Sequence, residues 1–414
     1  MPTSRSGVVL IGALVLYFFA NQTQVGWLYV MCAVLAGTVL AAWWLSRSTL
    51  RMVSGERSLS EREEIYEGDE MQIAFTLKAG KSSSAQVSLT ERCPLAEPYS
   101  PTSAIKLYVP SLPAKGAVRF DYAVSVYKRG VYEFPPLELV SSAPFGFVKK
   151  RRVIDVSSPV LVYPEVKPLS RFDLLDRQFA PQVTRPTAGI GYEVMGLRPY
   201  RPGDSPRHIH WRTVARTGQL VSKEFADETQ PGVTLALDLF RHPYAPSETK
   251  HTPFEWAVKL AVSIGDYANR RGYPLTLATN DENLPAPNGA ISWYSLLQYL
   301  ARVQPVGGVR LAQALAGVPL QAFVIAVLTY PDAGMVAALR ELHFHKMRVL
   351  AVLVDGESFP NAGAQSRAPL QSAANLAGEL EASGIETRLI KFGEDWVSQL
   401  QEDHAATRQE RAFS

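Results

Sequence analysis

Residues 25–45 form an uncharged apolar run, VGWLYVMCAVLAGTVLAAWWL, which constrains the fold of this chain more than any other feature. A helix needs about 20 predominantly apolar residues to cross a bilayer. The run also has tryptophan near both ends, where membrane-spanning helices place aromatic residues at the two membrane–water interfaces. A second uncharged run, VVLIGALVLYFFA, occupies residues 8–20. We therefore predict a transmembrane helical hairpin within residues 1–50, with spans at about 8–20 and 25–45.

The charges around the hairpin predict its orientation. Arg5 precedes the first run, Arg47 and Arg51 follow the second, and the connecting loop has neither lysine nor arginine. The positive-inside rule then places both ends of the hairpin, and the soluble part of the chain, in the cytoplasm. A cleaved signal peptide is the alternative for the first run, but Phe-Phe-Ala-Asn is a poor small-residue cleavage site. We expect a multi-pass membrane protein.

Composition indicates that folded domains follow the hairpin. Of the 414 residues, 47% are hydrophobic and 20% are charged, which is typical of globular domains. The formal net charge of +3 is small for this length, so nucleic acid is not an expected partner. The two cysteines, Cys32 and Cys93, are too few for a disulfide framework or a cysteine-rich metal site.

Short segments with period-two alternation, such as MQIAFTL, AIKLYV and VRFDYAV, occupy residues 54–165 and predict an all-β sandwich. The basic run at residues 149–152, KKRR, has two interpretations: contact with anionic lipid headgroups, or an exposed edge strand protected by charge. A proline-containing connector follows over residues 166–231.

Apolar strands alternate with amphipathic helices over residues 232–400. This rhythm predicts a parallel sheet covered by helices on both faces. The last residues, 401–414, form a polar tail that we expect to fray.

Open α/β sheets bind ligands beyond the carboxyl ends of their strands. The first strand ends at Asp238, where a von Willebrand factor A domain would carry an Asp-x-Ser-x-Ser metal site, but Phe240 and His242 replace the hydroxyl ligands. A later strand supplies at most Thr329 and Asp332. A phenylalanine offers no oxygen to a divalent cation, so we expect this degenerate site, Asp238, Thr329 and Asp332, to hold no metal, and we expect no cofactor.

Residues 196–218, GLRPYRPGDSPRHIHWRTVARTG, concentrate five arginines around a Pro-Gly-Asp turn. Ser205 before Pro206 predicts the start of a helix, and Gly218 predicts its end. On that helix Trp211 lies on a side expected to pack against the α/β domain, while Arg212 and Arg216 lie on a basic side. His208 and His210 would be about 200 degrees apart, which argues against shared metal ligation.

This segment carries a family resemblance. The signature of the bacterial membrane proteins called domain of unknown function 58 is similar to Gly196-Leu-Arg-Pro-Tyr200, Pro202-Gly-Asp204, Arg207, Ile209, Trp211, Ala215-Arg216, Gly218 and Leu220. The end of that family's β domain is similar to Arg129-Gly-Val-Tyr132, Pro144-Phe-Gly146 and Val162-Tyr-Pro164. Two residues depart from the pattern: His210 replaces an acidic or amide residue, and Ala143 replaces an aspartate.

The resemblance implies a membrane-anchored multidomain protein of the inner membrane, with a hairpin, a β sandwich and a von Willebrand A-like, Rossmann-like domain. It also implies a non-enzymatic role beside MoxR-type AAA+ ATPases in chaperone-like or envelope-related processes. We therefore expect an adaptor or scaffold that is not an enzyme. Its expected docking residues are those of the signature: Arg198, Tyr200, Gly203, Asp204, Arg207, Trp211, Arg212 and Arg216.

Three alternatives stay open. In the first, Asp238, Thr329 and Asp332 recruit magnesium through waters, which would make a metal-dependent ligand-binding module. In the second, His210 and Asp204 form the acid-base pair of a hydrolase, for which no nucleophile is identifiable. In the third, Arg198, Arg207 and Arg216 pair with Asp204, Glu224 and other carboxylates and lock the connector against the α/β domain.

Overall fold

The computed structural model describes residues 2–47, 49–59, 64–179, 188–201, 206–226, 232–240, 249–281, 289–305, 310–315, 323–329, 333–360 and 372–401. The chain divides into two compact units. The first consists of residues 1–165 with the short segments 248–250 and 300–302, and the second consists of residues 166–247, 251–299 and 303–414.

Two long apolar helices open the first unit, as the sequence predicts: α1 (Ser4–Thr23) and α2 (Gly26–Ser46). The mean hydropathy is 1.5 for α1 and 2.0 for α2, and both are long enough to cross a membrane. Large apolar side chains point away from the protein, with Leu14 68% exposed and Trp44 67% exposed. Such surfaces favour an apolar environment outside the protein.

The rest of the first unit is built from β-strands. They are β1 (Val53–Leu59), β2 (Ile65–Tyr66), β3 (Glu70–Ala79), β4 (Ser84–Arg92), β5 (Ala104–Leu112), β6 (Ala117–Ser125), β7 (Gly130–Glu133), β8 (Leu137–Ser141), β9 (Lys150–Ile154) and β10 (Pro159–Tyr163). Among the described residues they form sheets of order β1-β3-β6, β5-β4-β8-β9 and β2-β10-β7. A 3-10 turn, Pro101–Ser103, precedes β5. In this arrangement the basic residues of β9 lie on an edge strand.

The first two of these sheets share one hydrophobic core. Phe75 and Leu77 from β3 are fully buried with Val87 and Leu89 from β4. Alternate residues of a strand point to opposite faces, so these sheets pack face to face. Burying such side chains stabilises the fold by about 1.5–3 kcal/mol each.

A buried ion pair also links the two sheets. Arg57 of β1 donates from Nε to Oε1 of Glu91 in β4 at 3.1 Å and from Nη2 to Oε2 at 3.1 Å. Neither side chain is exposed. The same guanidinium donates to the carbonyl oxygens of Pro135 and Val156 and lies over the ring of Phe134. These extra bonds satisfy a charge that would otherwise be costly to bury.

The second unit contains a parallel sheet. Its strands are β13 (Val233–Leu237), β14 (Leu275–Thr279), β15 (Phe323–Leu328), β16 (Val349–Val354) and β17 (Glu386–Ile390), in the order β14-β13-β15-β16-β17. All neighbouring strands pair in parallel. The alternation of apolar strands and amphipathic helices therefore predicted this sheet correctly. Its von Willebrand A-like assignment stays a prediction.

Helices and turns complete the second unit. They are α3 (Asp173–Phe179), α4 (Trp211–Thr217), α5 (Pro253–Arg271), α6 (Trp293–Arg302), α7 (Leu311–Leu315), α8 (Ala333–Phe344), α9 (Ala373–Ala382) and α10 (Trp396–Gln401), with 3-10 turns at Pro206–His208 and Gly356–Ser358. One face of the sheet packs on α7, α8 and α9 through Ala236, Val324 and Ala326. The alternate residues Leu235 and Ile325 are also fully buried, so both faces are covered.

An antiparallel pair of strands, β11 (Ala188–Pro199) and β12 (Val221–Ala226), precedes the parallel sheet. The sequence predicted only a connector here. The missed pattern is the run of alternating residues on each side of the Pro-Gly-Asp turn, because a turn-rich segment between two such runs favours a β-hairpin. The signature segment begins in the last residues of β11 and continues into the long connection of this hairpin.

Candidate functional sites

The carboxyl edge of the parallel sheet carries a buried polar cluster. Asp238 follows β13 and is 4% exposed. Its Oδ1 accepts hydrogen bonds from the Phe240 backbone N–H at 3.1 Å and from Asn280 Nδ2 at 3.4 Å. Its Oδ2 accepts one from Thr329 Oγ1 at 3.2 Å. The structure thus brings together Asp238 and Thr329, two of the three residues predicted for this site, whereas Asp332 lies outside the described residues.

Asn280 is a member of this cluster that sequence analysis missed. It follows β14 directly, is 4% exposed, and accepts a hydrogen bond from the Leu239 backbone N–H at 2.8 Å through Oδ1. The signal was available, because the rule that placed Asp238 and Thr329 at strand ends applies equally to the end of β14. Three neighbouring strands therefore end in side chains that hydrogen-bond one another.

The hydrogen bonds of the cluster have a structural role, because they hold the ends of the strands together. Three donors occupy the Asp238 carboxylate, and the guanidinium of Arg310 lies 4.2 Å from the centre of the Phe240 ring. In the described ranges of the chain, no group of three histidine, cysteine, aspartate or glutamate side chains could hold a metal ion. His242 lies outside those ranges. The carboxylate holds the chain turn after β13 rather than presenting free oxygens.

A tyrosine extends the polar edge. The Tyr299 hydroxyl lies 2.7 Å from Thr279 Oγ1, at the last residue of β14. Burial raises the pKa of Tyr299 to about 12, since the phenolate would lose its hydration. The phenol is therefore protonated near neutral pH and serves as a hydrogen-bonding group.

Two backbone hydrogen bonds hold the signature segment to the residues at the start of β12. The Tyr200 N–H donates to the Leu220 carbonyl at 3.0 Å, and the His210 N–H donates to the Val221 carbonyl at 2.9 Å. Ile209 also forms an isolated antiparallel bridge to Ser222. These bonds hold the residues around α4 against β12.

The predicted helix start at Ser205 and Pro206 is wrong. Helix α4 begins at Trp211, and its cap is His210, whose Nδ1 accepts from the Thr213 N–H at 3.3 Å and lies 2.7 Å from the Thr213 hydroxyl. Pro206–His208 forms a separate 3-10 turn. The physical reason is the pairing of Ile209 and His210 with β12, which holds them extended and interrupts the helix. Gly218 ends α4 in the left-handed region, as predicted.

The predicted packing of Trp211 is also wrong, because its side chain is 61% exposed. Since α4 is short and follows a bridge to β12, the tryptophan is not carried on the long helix that the prediction assumed. Arg207, Arg212 and Arg216 are exposed as well. Within the described part of the chain none of these three arginines forms an ion pair.

The remaining signature residues differ in exposure. Arg198 and Tyr200 are half-buried, and Arg198 donates from Nη1 to the Pro199 carbonyl at 3.3 Å. Gly203 and Asp204 lie outside the described residues, as does the side chain of Glu224. The proposed pairing of the arginines with those two carboxylates therefore stays a hypothesis.

The fold and these features define a class of protein with two apolar N-terminal helices, an antiparallel β domain and a parallel α/β domain preceded by a cationic hairpin. Residues 196–366 match the family model described as "Protein of unknown function DUF58", which supports the resemblance carried by the signature segment.

One relative is the "Uncharacterized protein YeaD" of Bacillus subtilis (strain 168), which is 23% identical over 274 residues. The alignment covers 64% of this chain and 65% of that protein, so the chain spans less than two thirds of the relative's length.

Two solved structures are similar to parts of the chain at low identity. One is a late embryogenesis abundant (LEA) protein, 11% identical, with a TM-score of 0.17 over 31% of this chain and 84% of that one. The other is a family 123 glycoside hydrolase from Clostridium perfringens, 10% identical, with a TM-score of 0.18 over 83% of this chain and 73% of that one. Scores this low support no argument about fold or function.

Proposed function

We propose that this protein is a non-enzymatic adaptor, anchored in the plasma (inner) membrane, that acts with a MoxR-type AAA+ ATPase in a chaperone-like or envelope-related process. The helices α1 and α2 span the membrane, and the β domain and the α/β domain lie in the cytoplasm. The signature segment and the von Willebrand A-like domain supply the docking surface. The family resemblance motivates the choice of partner.

The observation that carries the proposal is the exposure of Trp211 beside Arg207, Arg212 and Arg216. Tryptophan and arginine are the residue types that most often dominate binding energy at protein interfaces. Burying the exposed indole against a partner contributes favourable binding free energy, and the guanidinium groups of arginine pair with carboxylates. The expected partner surface is acidic with an apolar pocket for Trp211.

The sheet edge favours a non-enzymatic role. The Asp238 carboxylate and the Thr329 hydroxyl are engaged in hydrogen bonds to each other and to their neighbours. His210 uses Nδ1 to cap α4. A general base needs a ring nitrogen or carboxylate directed at substrate, and these groups are directed at their own chain.

Co-purification tests the proposal. Full-length protein at native expression would be extracted in mild detergent, and the AAA+ ATPase recovered with it would be quantified by mass spectrometry. We expect Trp211→Ala to lower recovery about 30-fold, the effect of losing a hot-spot residue worth about 2 kcal/mol. Arg212→Glu combined with Arg216→Glu should act in the same direction.

Matched controls come from the same unit. Tyr294 is 53% exposed on α6, and Lys391 is exposed after β17. Tyr294→Ala and Lys391→Glu should leave recovery unchanged. Absence of any AAA+ ATPase from the wild-type sample, or equal recovery with Trp211→Ala, would overturn the adaptor proposal.

A further inference from the structure

The loop between β8 and β9 is fastened to the residues that begin α1. The Thr3 N–H donates to the Phe147 carbonyl at 2.9 Å, and the Thr3 hydroxyl donates to the Gly146 carbonyl at 2.8 Å. Pro2 and Val148 form an antiparallel bridge. Arg5 lies close by, since a Cβ built on Gly146 would be 3.6 Å from its Nη1.

A second set of hydrogen bonds holds β9 to the residues that follow α2. Arg152 of β9 donates from Nη1 to the carbonyl oxygens of Leu50 and Arg51. Leu50 is 1% exposed, and its N–H donates to the Ser84 hydroxyl at 3.3 Å. The exit from α2 is therefore held against the same part of the β domain as the start of α1.

Both sets of hydrogen bonds lie at one end of the helical hairpin. Helices α1 and α2 are joined by a short turn at Gln24, and the rings of Tyr17 and Tyr29 meet near that turn at 6.0 Å. The start of α1 and the end of α2 therefore share the opposite end. If the two helices cross a bilayer, that end lies at the level of the lipid headgroups, and the loop at residues 143–149 lies there with it.

The side chains at this level are aromatic and cationic. Phe145 is 55% exposed, and its ring centre is 6.1 Å from that of Phe147. Arg5, Lys149 and Lys150 are exposed. The two arginines of the basic run make contacts within the protein: Arg151 pairs with Glu138 at 2.7 Å, and Arg152 donates a hydrogen bond to the Leu50 carbonyl after α2.

We propose that the loop at residues 143–149, with Lys150 and Arg5, binds the anionic phospholipid headgroups of the membrane and inserts Phe145 into the interfacial layer. Cations beside a membrane-spanning helix are attracted to anionic lipid, and exposed aromatic rings favour the interfacial layer. The hydrogen bonds of Thr3 and Arg152 connect this contact to the β domain, so the lipid surface orients the β domain. The inference depends on the membrane-spanning role proposed for α1 and α2.

Native mass spectrometry of the full-length protein in neutral detergent tests the inference. Phosphatidylglycerol and phosphatidylcholine would be titrated separately and bound lipids counted. We expect wild-type protein to prefer phosphatidylglycerol. Lys149→Gln and Lys150→Gln should each weaken that preference about fivefold, the ratio for a cation worth about 1 kcal/mol at an anionic surface. Phe145→Ser should weaken binding of both lipids.

The controls are Lys106→Gln and Tyr108→Ser, which change exposed residues of β5. Both should bind lipid as the wild type does. Equal binding of the two lipids by wild-type protein, or unchanged binding by the lysine variants, would overturn the inference.

Alkaline carbonate extraction of cell membranes distinguishes failure of the lipid contact from failure of the membrane-spanning role of α1 and α2. Protein that stays in the membrane pellet but shows no lipid preference refutes the headgroup contact alone. Protein released to the supernatant refutes the membrane-spanning role, and the lipid contact with it.

Discussion

The Thr329 hydroxyl donates a hydrogen bond of 3.2 Å to Oδ2 of Asp238, and the two residues are 1% and 4% exposed. They follow β15 and β13, which pair through Leu237 and Val327. This bond fastens the carboxyl ends of two central strands where a ligand site would otherwise open.

Thr329→Val should destabilise that edge of the sheet by about 1–3 kcal/mol, because a buried carboxylate loses one of its hydrogen-bond donors. Hydrogen–deuterium exchange of full-length protein would show reduced protection in β13 and β15. The control is Thr276→Val, at a half-buried position in β14. Equal loss of protection in both variants would show that the hydrogen bond is not the cause.

Magnesium or manganese should produce no saturable heat on titration into the full-length protein, because internal donors occupy the Asp238 carboxylate. Calorimetry measures this directly. A saturable heat that disappears in Asp238→Ala would contradict the expectation and favour a metal-dependent binding module.

Glu91→Gln should destabilise the β domain by about 3–5 kcal/mol, since it leaves Arg57 as a buried charge without its counter-ion. Protection of β1 and β4 against hydrogen exchange reports the change. Glu56→Gln removes an exposed ion pair with Lys78 of 2.7 Å and should cost less than about 1 kcal/mol. A small effect of Glu91→Gln would mean that the pair is dispensable.

Cys93 should resist alkylation in the folded protein. Burial raises the pKa of its thiol, which lowers the thiolate fraction at any given pH, and the side chain is 4% exposed. In a Cys32→Ser background, iodoacetamide at pH 8 should modify Cys93 slowly until urea is added. Adding Tyr99→Cys provides the comparison, since position 99 is 96% exposed. Rapid modification of Cys93 without urea would refute the prediction.

The larger elements could be predicted because their patterns are long and repeated. Residues 25–45 and 8–20 are apolar over whole helices, and β15 and β16 of the parallel sheet are apolar throughout. Structure adjusted only the bounds: α1 begins at Ser4 because the Thr3 side chain accepts a hydrogen bond from the Ser6 N–H.

The signature segment was harder to predict because its conformation depends on tertiary pairing. Ser205 and Pro206 have the local chemistry of a helix start, yet the bridge between Ile209 and Ser222 prevents the helix from forming there. The exposure of Trp211 follows from that interruption. Asn280 was missed for a different reason: its place directly after β14 made it predictable, but the metal-site pattern considered at the strand ends contains only carboxylate and hydroxyl residues.

The position of β13 in the order β14-β13-β15-β16-β17 has a consequence for biosynthesis. Val233 pairs with Leu275 on one side and with Phe323 on the other. As the chain leaves the ribosome, β14 arrives first, and the second edge of β13 stays open until β15 has been made. An apolar strand with an open edge can pair with other chains. The interval between the synthesis of β14 and β15 is thus a stage at which this domain is exposed to misassembly.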